Sequence, residues 1–389
     1  MKKSFILLML LSLTALLMAA QGSVVFSQNP SSVRLLRETQ DGLSVRYSLE
    51  KLDYQEVDTP EGRFTDLSVQ HYTSTNQEGL PRLPLQRQII AVPEGATVVP
   101  SIISAQRQII ALASRGIHYP VIPRQESVSK SADPASVPFV VNRDFYNRSG
   151  WTQSPSIKVE EIGYMRGVRL FALDFVPVRY NPALGEIEVI IEAEVRVDFQ
   201  GADLAATEAL RDRYYSPAFN GIYQKSLLNP LDNRATLNRY PMSYLIITPP
   251  NFVAALQPFV DWKIKEGFNV IVATTTQTGT TANAIKTYLQ NIWNNATTNN
   301  PAPSYLLIVG DVAQVPSNSG TTGSHVTDLT YVRLQGTDFV PEMYFGRFSA
   351  TTEAQVTNQV NKTLMHEMYT MPSDAYLGDV VMIAGVDSS

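Results

Sequence analysis

The chain has 389 residues, of which 44% are hydrophobic and 17% charged, and its formal net charge is −5 at pH 7. This length supplies two or three ordinary globular domains, and the acidic balance excludes the basic surface that nucleic-acid binding requires. The sequence contains no cysteine. Disulfides and a thiolate nucleophile are therefore excluded within these residues, and stability must come from burial.

Residues 1–22 have the pattern of a secretory signal peptide. A positive segment, Met1-Lys2-Lys3, precedes an apolar run from Phe5 to Ala19, and the small residues Ala20 and Gly22 offer a cleavage site. The alternative is a membrane anchor, but the run is shorter than the ~20 residues that a spanning helix needs. We therefore predict a secreted or cell-surface protein, with no membrane span after signal cleavage.

Residues 23–215 show the periodicity of strands. From Glu186 to Phe199, apolar and polar residues alternate with a single break at Ile190, which is typical of a strand with one buried face. An extended run from Val168 to Tyr180 precedes it, and 181–185 has hairpin-loop composition, so a pair of long antiparallel strands is expected. Shorter runs at 43–49, 86–92 and 98–104 complete the prediction of an all-β sandwich.

A linker is predicted at 216–240, after a helical stretch around 202–214. The segment shows no sustained period and contains Pro217 and Pro230. It also contains Arg234 and Arg239, which would be targets for a trypsin-like processing protease if the linker is exposed. Two solvated surface arginines are the alternative interpretation.

Residues 241–389 alternate strands with helices. Strands are predicted at 244–247, 269–273, 305–309 and 379–384, and helices at 251–266, 282–293 and 353–369, with Pro258 causing a kink or restart. Apolar strands alternating with amphipathic helices indicate a mostly parallel sheet covered on both faces. In such sheets, ligands and catalytic groups lie beyond the carboxyl ends of the strands. The sequence ends just past the last predicted strand.

Self-contained catalytic motifs are nearly absent. The sequence has no G-x-G-x-x-G, Walker or G-x-S-x-G motif. His366-Glu367 begins like a zinc-protease helix, but Thr370 stands where the second His is required. The four histidines have no partner at ligand spacing, so each is interpreted as structural or solvated.

One acidic loop could bind a cation. Asp338 and Glu342 lie four residues apart, with the backbone carbonyl of Val340 between them and Pro341 stiffening the bend. Hard oxygen ligands on a compact loop suit Ca²⁺, and Asp311 or Asp328 could add a further oxygen. The alternative is a polar turn with solvated acids.

The second half also carries a series of specific motifs in a fixed order. They are Phe259-Val260-Asp261-Trp262-Lys263, Gly267, Thr281 to Ile285, Tyr305 to Asp311, Thr327-Asp328-Leu329 with Tyr331, and Tyr344-Phe345-Gly346-Arg347. Together they resemble the start of the catalytic domain of gingipain-type cysteine peptidases (peptidase family C25), clan relatives of the caspases. The β-rich half resembles the family's propeptide at Gly79 to Pro84, Val92-Pro93 and Tyr180-Asn181-Pro182.

The resemblance implies an exported endopeptidase zymogen that acts on protein or peptide substrates. A β-sandwich propeptide would pack on an incomplete α/β caspase-like domain until the linker is cut, with Arg239 the preferred cut site and Arg234 the reserve. The family's catalytic His and Cys lie on later strands, so no catalytic residue is assigned within the chain, which would be inactive as given. The resemblance also favours structural calcium at Asp338, Val340 and Glu342.

Two alternatives belong to other functional classes. The first is a non-catalytic secreted binding module on a degenerate peptidase scaffold. The second is a stand-alone inhibitor that resembles the propeptide and docks on a related protease. A reading frame that continues past Ser389 to a His and then a Cys would distinguish the enzyme precursor from both.

Overall fold

The computed structural model describes residues 21–128, 133, 136–152, 156–231, 241–321 and 325–382. They form a β-rich part followed by an α/β part, which confirms the predicted fold class. Twelve strands are described in the β-rich part: β1 Gln21–Val25, β2 Ser32–Thr39, β3 Gly42–Ser48, β4 Lys51–Thr59, β5 Gly62–Ser68, β6 Thr73–Ser74, β7 Pro84–Val92, β8 Thr97–Ala111, β9 Ile157–Met165, β10 Val168–Phe175, β11 Val178–Asn181 and β12 Glu186–Gln200.

The β-rich part is built from three antiparallel sheets. Their strand orders are β1-β4-β5, β6-β7-β10-β9 and β11-β12-β3-β2, and β8 pairs with β12 beside the third sheet. A core forms where the second and third sheets face each other, with Leu43, Ile90, Leu173 and Val195 fully or almost fully buried. A 3₁₀ turn, Leu112–Arg115, and the short helix α1, Arg143–Tyr146, lie between β8 and β9.

The predicted alternation along β12 is confirmed, and its one break has a structural cause. Ile187, Val189, Ala193, Val195 and Val197 are buried. The register against β8 shifts between Ile190 and Glu192. This β-bulge explains why Ile190 is buried out of phase with the strand period.

The predicted pair of long antiparallel strands is wrong, because the strand that precedes β12 in the hairpin is short. Only β11 pairs with β12 through the 181–185 loop, whereas β10 pairs with β7 and β9 in a different sheet. The extended run is interrupted at Val176-Pro177, where proline removes a ladder hydrogen bond and the chain passes from one sheet to the other.

Part of the predicted linker is helical. After α2, Leu204–Tyr214, the chain forms α3, Pro217–Ser226, with Pro217 at its first turn. Phe219 and Tyr223, four residues apart, are buried on one face of α3. Asn229 is also buried and exchanges hydrogen bonds with the backbone of Ala91 at 2.9 and 3.0 Å. The segment up to residue 231 is therefore packed structure.

The α/β part contains a four-stranded parallel sheet in the order β14-β13-β15-β18. Its helices cover both faces: Trp293 and Ile285 pack on one, and Phe259 and Val356 on the other. The elements are β13 Ser243–Thr248, a 3₁₀ turn Pro250–Phe252, α4 Val253–Lys265, β14 Asn269–Thr274, α5 Thr275–Thr278, α6 Ala282–Asn294, β15 Tyr305–Val309, an antiparallel pair β16 Asn318–Ser319 and β17 Val326–Thr327, α7 Leu329–Val332, β18 Tyr344–Phe348, α8 Glu353–Glu367 and a 3₁₀ turn Ala375–Gly378.

The predicted strand at 379–384 is not formed over its described residues. Val380, Val381 and Met382 are in irregular backbone and are 83%, 83% and 90% exposed. An apolar run becomes a strand only where it pairs with a neighbour, and here it has none among the described residues. Within the described part of the chain, no helix has the length and apolarity to cross a membrane.

Candidate functional site

The carboxyl edge of the parallel sheet is where an open α/β fold places its functional loops. After β15, Gly310 adopts a φ of +128° and turns the chain into the loop that begins with Asp311. The backbone N–H groups of Gly310 and Asp311 donate to the carbonyl oxygens of Phe348 and Ala350, each at 2.9 Å. The ends of β15 and β18 are thereby held together.

A partly buried ion pair between Asp328 and Arg347 organises this edge. Nε and Nη2 of Arg347 each donate to one carboxylate oxygen of Asp328 at 2.7 Å, and the side chains are 13% and 14% exposed. Nη1 of Arg347 donates to the carbonyl oxygens of Gly310 and Val315, both at 2.8 Å. Ser317 Oγ donates to the same carboxylate at 2.6 Å. One guanidinium therefore joins β18, the end of β15 and the loop before α7.

The pair is an ionised structural element. Burial acts to raise the pKa of Asp328, but the hydrogen bonds from Arg347 and Ser317 outweigh it and hold the pKa below its ordinary value of 3.8. A carboxylate committed to a guanidinium is a poor general base. Asp328, which the sequence suggested as a further calcium ligand, is thus engaged by Arg347.

The acidic loop 338–342 places its two carboxylates in different surroundings. Asp338 Oδ1 accepts from the backbone N–H of Val340 at 2.8 Å, within the loop. Its other oxygen, Oδ2, accepts from the backbone N–H of Tyr164 at 3.0 Å, which belongs to the β-rich part. Asp338 thus connects the two parts of the chain.

Glu342 is fully buried and only half satisfied. Its Oε2 accepts from the backbone N–H groups of Leu334 and Gln335 at 2.6 and 3.3 Å, whereas Oε1 is buried with no hydrogen-bond partner among the described residues. Burial raises the pKa of Glu342 to about 7. The unpaired Oε1 is a feature that fits a cation.

The set of oxygen donors in this loop is small for calcium, which takes 6–8 oxygen ligands. Among the described residues, no group of three or more His, Asp and Glu side chains is placed to hold a metal ion. If Ca²⁺ binds here, Asp338, the carbonyl of Val340 and Glu342 would hold it with other oxygens, and its charge would stabilise the loop. The calcium assignment stays a prediction.

Arg166 is the residue that sequence reasoning missed. It lies in the turn between β9 and β10 and is 1% exposed. Its guanidinium donates to the carbonyl oxygens of Ala302, Pro303 and Glu342 in the α/β part, at 3.1, 2.9 and 2.8 Å, and to that of Tyr214 at 2.8 Å. The β-rich part therefore inserts a charged side chain into the α/β part.

Two aromatic rings complete the surroundings of Arg166. The guanidinium carbon lies 5.2 Å from the ring centroid of Phe219 and 5.4 Å from that of Trp293. Burial lowers the pKa of Arg166 to about 10, so the group is still a cation at neutral pH. Carbonyl dipoles and ring faces compensate a charge that water cannot reach.

Comparisons with known proteins connect these features to one family. The family model Propeptide_C25 matches residues 23–215, and the model described as Peptidase family C25 matches residues 238–389. The chain is a gingipain-type precursor of peptidase family C25. The sequence-based resemblance is thereby confirmed, including the presence of a propeptide.

Several curated C25 proteins of Porphyromonas gingivalis are similar to the chain. "Lys-gingipain W83" is 37% identical over an alignment of 347 residues that covers 88% of this chain and 20% of that protein. "Gingipain R1" is 24% identical over an alignment of 391 residues that covers 96% of this chain and 37% of that protein. A solved structure concerned with the zymogenic latency of gingipain K aligns with 47% of this chain and 100% of its own, at 32% identity and a TM-score of 0.44. The chain thus spans about one fifth of the length of the Lys-gingipain that it matches.

Residues of the C25 motifs form two of the ion pairs in the α/β part. Asp328 and Arg347 meet in the ion pair at the carboxyl edge. Lys263 joins α4 to α8 instead: its Nζ lies 2.8 Å from Oε1 of Glu367, and its side chain is 9% exposed. Of the predicted site residues, Asp338, Val340 and Glu342 share one loop, whereas the predicted processing residues Arg234 and Arg239 lie outside the described residues.

Proposed function

We propose that this chain is the N-terminal part of a secreted cysteine endopeptidase precursor whose catalytic His and Cys lie beyond Ser389. The observation that carries the proposal is the succession of a C25 propeptide match and a C25 peptidase match in one chain. The absence of cysteine from all 389 residues supports it, because a cysteine peptidase must obtain its nucleophile from elsewhere. Without that nucleophile the chain is inactive as given.

Sequencing the encoding DNA past the codon for Ser389 tests this function. A continuing frame with a His followed by Gly, and a later Cys after apolar strands, is the expected result. The complete chain should then hydrolyse protein substrates, and replacing that Cys by Ala should abolish hydrolysis. A stop codon directly after Ser389 would contradict the proposal and favour a non-catalytic binding module.

Export is part of the same proposal. The charged start and apolar run of residues 1–22 support a signal peptide that is removed during secretion. Expression in a bacterium with an export pathway should give a secreted product whose N terminus lies near Gln21 to Ser23. A product that retains Met1 and stays inside the cell would contradict export.

Activation is proposed to occur by cleavage at Arg239. The site lies at the very start of the peptidase match, which begins at residue 238, after the packed segment that ends at 231 and before β13. Digestion of the chain with a trypsin-like protease should release a fragment that begins at Tyr240, and Arg239→Ala should remove that fragment. N-terminal sequencing of the products measures the outcome. Arg234→Ala is the matched control and should still release the fragment that begins at Tyr240. A fragment that begins at Ala235 in the unaltered chain would identify Arg234 as the cut site instead.

A structural calcium site is proposed at Asp338, Val340 and Glu342. The buried, unpaired Oε1 of Glu342 supports it, since an unsatisfied carboxylate oxygen is costly without a partner. Millimolar calcium should raise the melting temperature of the chain, because a ligand that binds only the native state stabilises that state. Glu342→Gln should abolish the shift, and the exposed control Glu160→Gln should keep it. An unchanged melting temperature of the unaltered chain in calcium would remove the site.

A further inference from the structure

The turn that carries Arg166 is strained. Arg166 and Gly167 are the two central residues between the paired residues Met165 and Val168, with φ values of +47° and +78°. Two-residue turns with both φ positive favour Asn, Asp or Gly at the first position. A long side chain in the left-handed region costs on the order of 1 kcal/mol. The backbone geometry of the turn therefore does not explain why position 166 is an arginine, whereas the contacts of the arginine side chain do.

The arginine fills a socket at the amino edge of the parallel sheet. We define the Arg166 socket as the carbonyl oxygens of Ala302 and Pro303, which precede β15, the carbonyl oxygen of Glu342, which precedes β18, and the ring of Trp293. A guanidinium presents five donors in a planar fork, so it can satisfy three carbonyls and lie near a ring at once. A lysine ammonium is a compact point charge and cannot reproduce that pattern.

The backbone around Arg166 is fitted to the same surface. The N–H of Tyr164 donates to Asp338 at 3.0 Å, and the N–H of Gly167 donates to Oε1 of Gln335 at 2.8 Å. Gly163 allows the approach, because a Cβ added there would lie 2.2 Å from Cγ of Asp338. Five hydrogen bonds from one turn thus cross from the β-rich part to the α/β part.

We propose that the β9–β10 turn, residues 163–167, is a latch that holds the propeptide on the peptidase part after the linker is cut, and that the Arg166 socket is a guanidinium-binding site. This rests on the proposed zymogen function. A cut within 232–240 breaks none of the five hydrogen bonds, since all of their partners lie outside that segment. The propeptide leaves only when Arg166 leaves the socket.

The test uses the chain with a site-specific protease sequence in place of 232–240, cut after folding. The two fragments of the unaltered chain should co-elute in size-exclusion chromatography. In Arg166→Met the fragments should separate. Their affinity for each other should fall by a factor of about 100 or more, because three charge-assisted hydrogen bonds between the two fragments are lost. Arg46→Met, on an exposed pair of the propeptide surface, is the control and should co-elute. Equal affinities for Arg166→Met and the unaltered chain would overturn the latch.

A competition measurement on the unaltered chain tests the same site without depending on whether Arg166→Met folds. Arginine amide in large excess should accelerate exchange of a labelled propeptide fragment from the cut, unaltered chain, whereas lysine amide at the same ionic strength should not. Equal effects of the two amides would overturn the guanidinium site. Because no readout depends on peptidase activity, a failed latch and a failed assignment of enzymatic function give distinguishable results.

Discussion

Arg347→Met should lower the free energy of unfolding by about 3 kcal/mol, the lower end of the cost for a fully buried pair, because removing one partner of this partly buried ion pair leaves the other uncompensated. Asp328 would lose both 2.7 Å contacts with the guanidinium, and the carbonyls of Gly310 and Val315 would lose a donor. For a unit of about 150–250 residues, such a change corresponds to a drop in melting temperature of roughly 10 °C. Differential scanning calorimetry measures it directly.

The same pair determines a response to acid. The pKa of Asp328 is below its ordinary value of 3.8 in the folded chain, so its contribution is fully present above that value and is lost as pH falls through the lowered folded-state pKa. Arg347→Met should remove this acid-dependent part of the stability. Lys158→Met, on a pair that is 57% and 60% exposed, is the control, with an expected change of about 0–1 kcal/mol. A melting temperature for Arg347→Met equal to that of the control would contradict the assignment.

Elements whose periodicity is local were predicted from the sequence. The alternation of Val195, Val197 and Phe199 on β12 and the apolar run of β15 each specify an element without reference to distant residues. Even the break at Ile190 was visible, and it marks the bulge. The helical part of the linker could also have been found, since Pro217 suits a first turn and Phe219 and Tyr223 are spaced i,i+4.

The site features depend on long-range contacts, and the sequence does not show them. Arg166 bonds to residues 136, 137 and 176 positions later in the chain. Its one local signal is an Arg-Gly dipeptide between two strand-like runs, which predicts a turn and nothing about a socket. At Val380 to Met382 the sequence instead predicted an element that does not form. The run has the composition of a strand but no pairing neighbour among the described residues.

Trp293→Ala should destabilise the chain by about 3–5 kcal/mol, the cost of removing a large buried aromatic side chain. Trp293 is 1% exposed, and its ring stacks on that of Tyr214 with centroids 4.1 Å apart and planes 2° from parallel. It also lies beside the guanidinium of Arg166. The substitution would therefore weaken the core of the α/β part and the wall of the Arg166 socket together.

The way in which Trp293→Ala unfolds is more informative than its stability alone. If Trp293 couples the two parts, the unaltered chain should unfold in urea with coincident transitions by far-ultraviolet circular dichroism and by proteolysis of the β-rich part. In the variant the two transitions should separate, with the α/β part unfolding first. Trp293→Phe keeps a ring in the socket and should restore most of the coincidence. Coincident transitions in Trp293→Ala, at the midpoint of the unaltered chain, would show that the two parts are joined by contacts other than this ring.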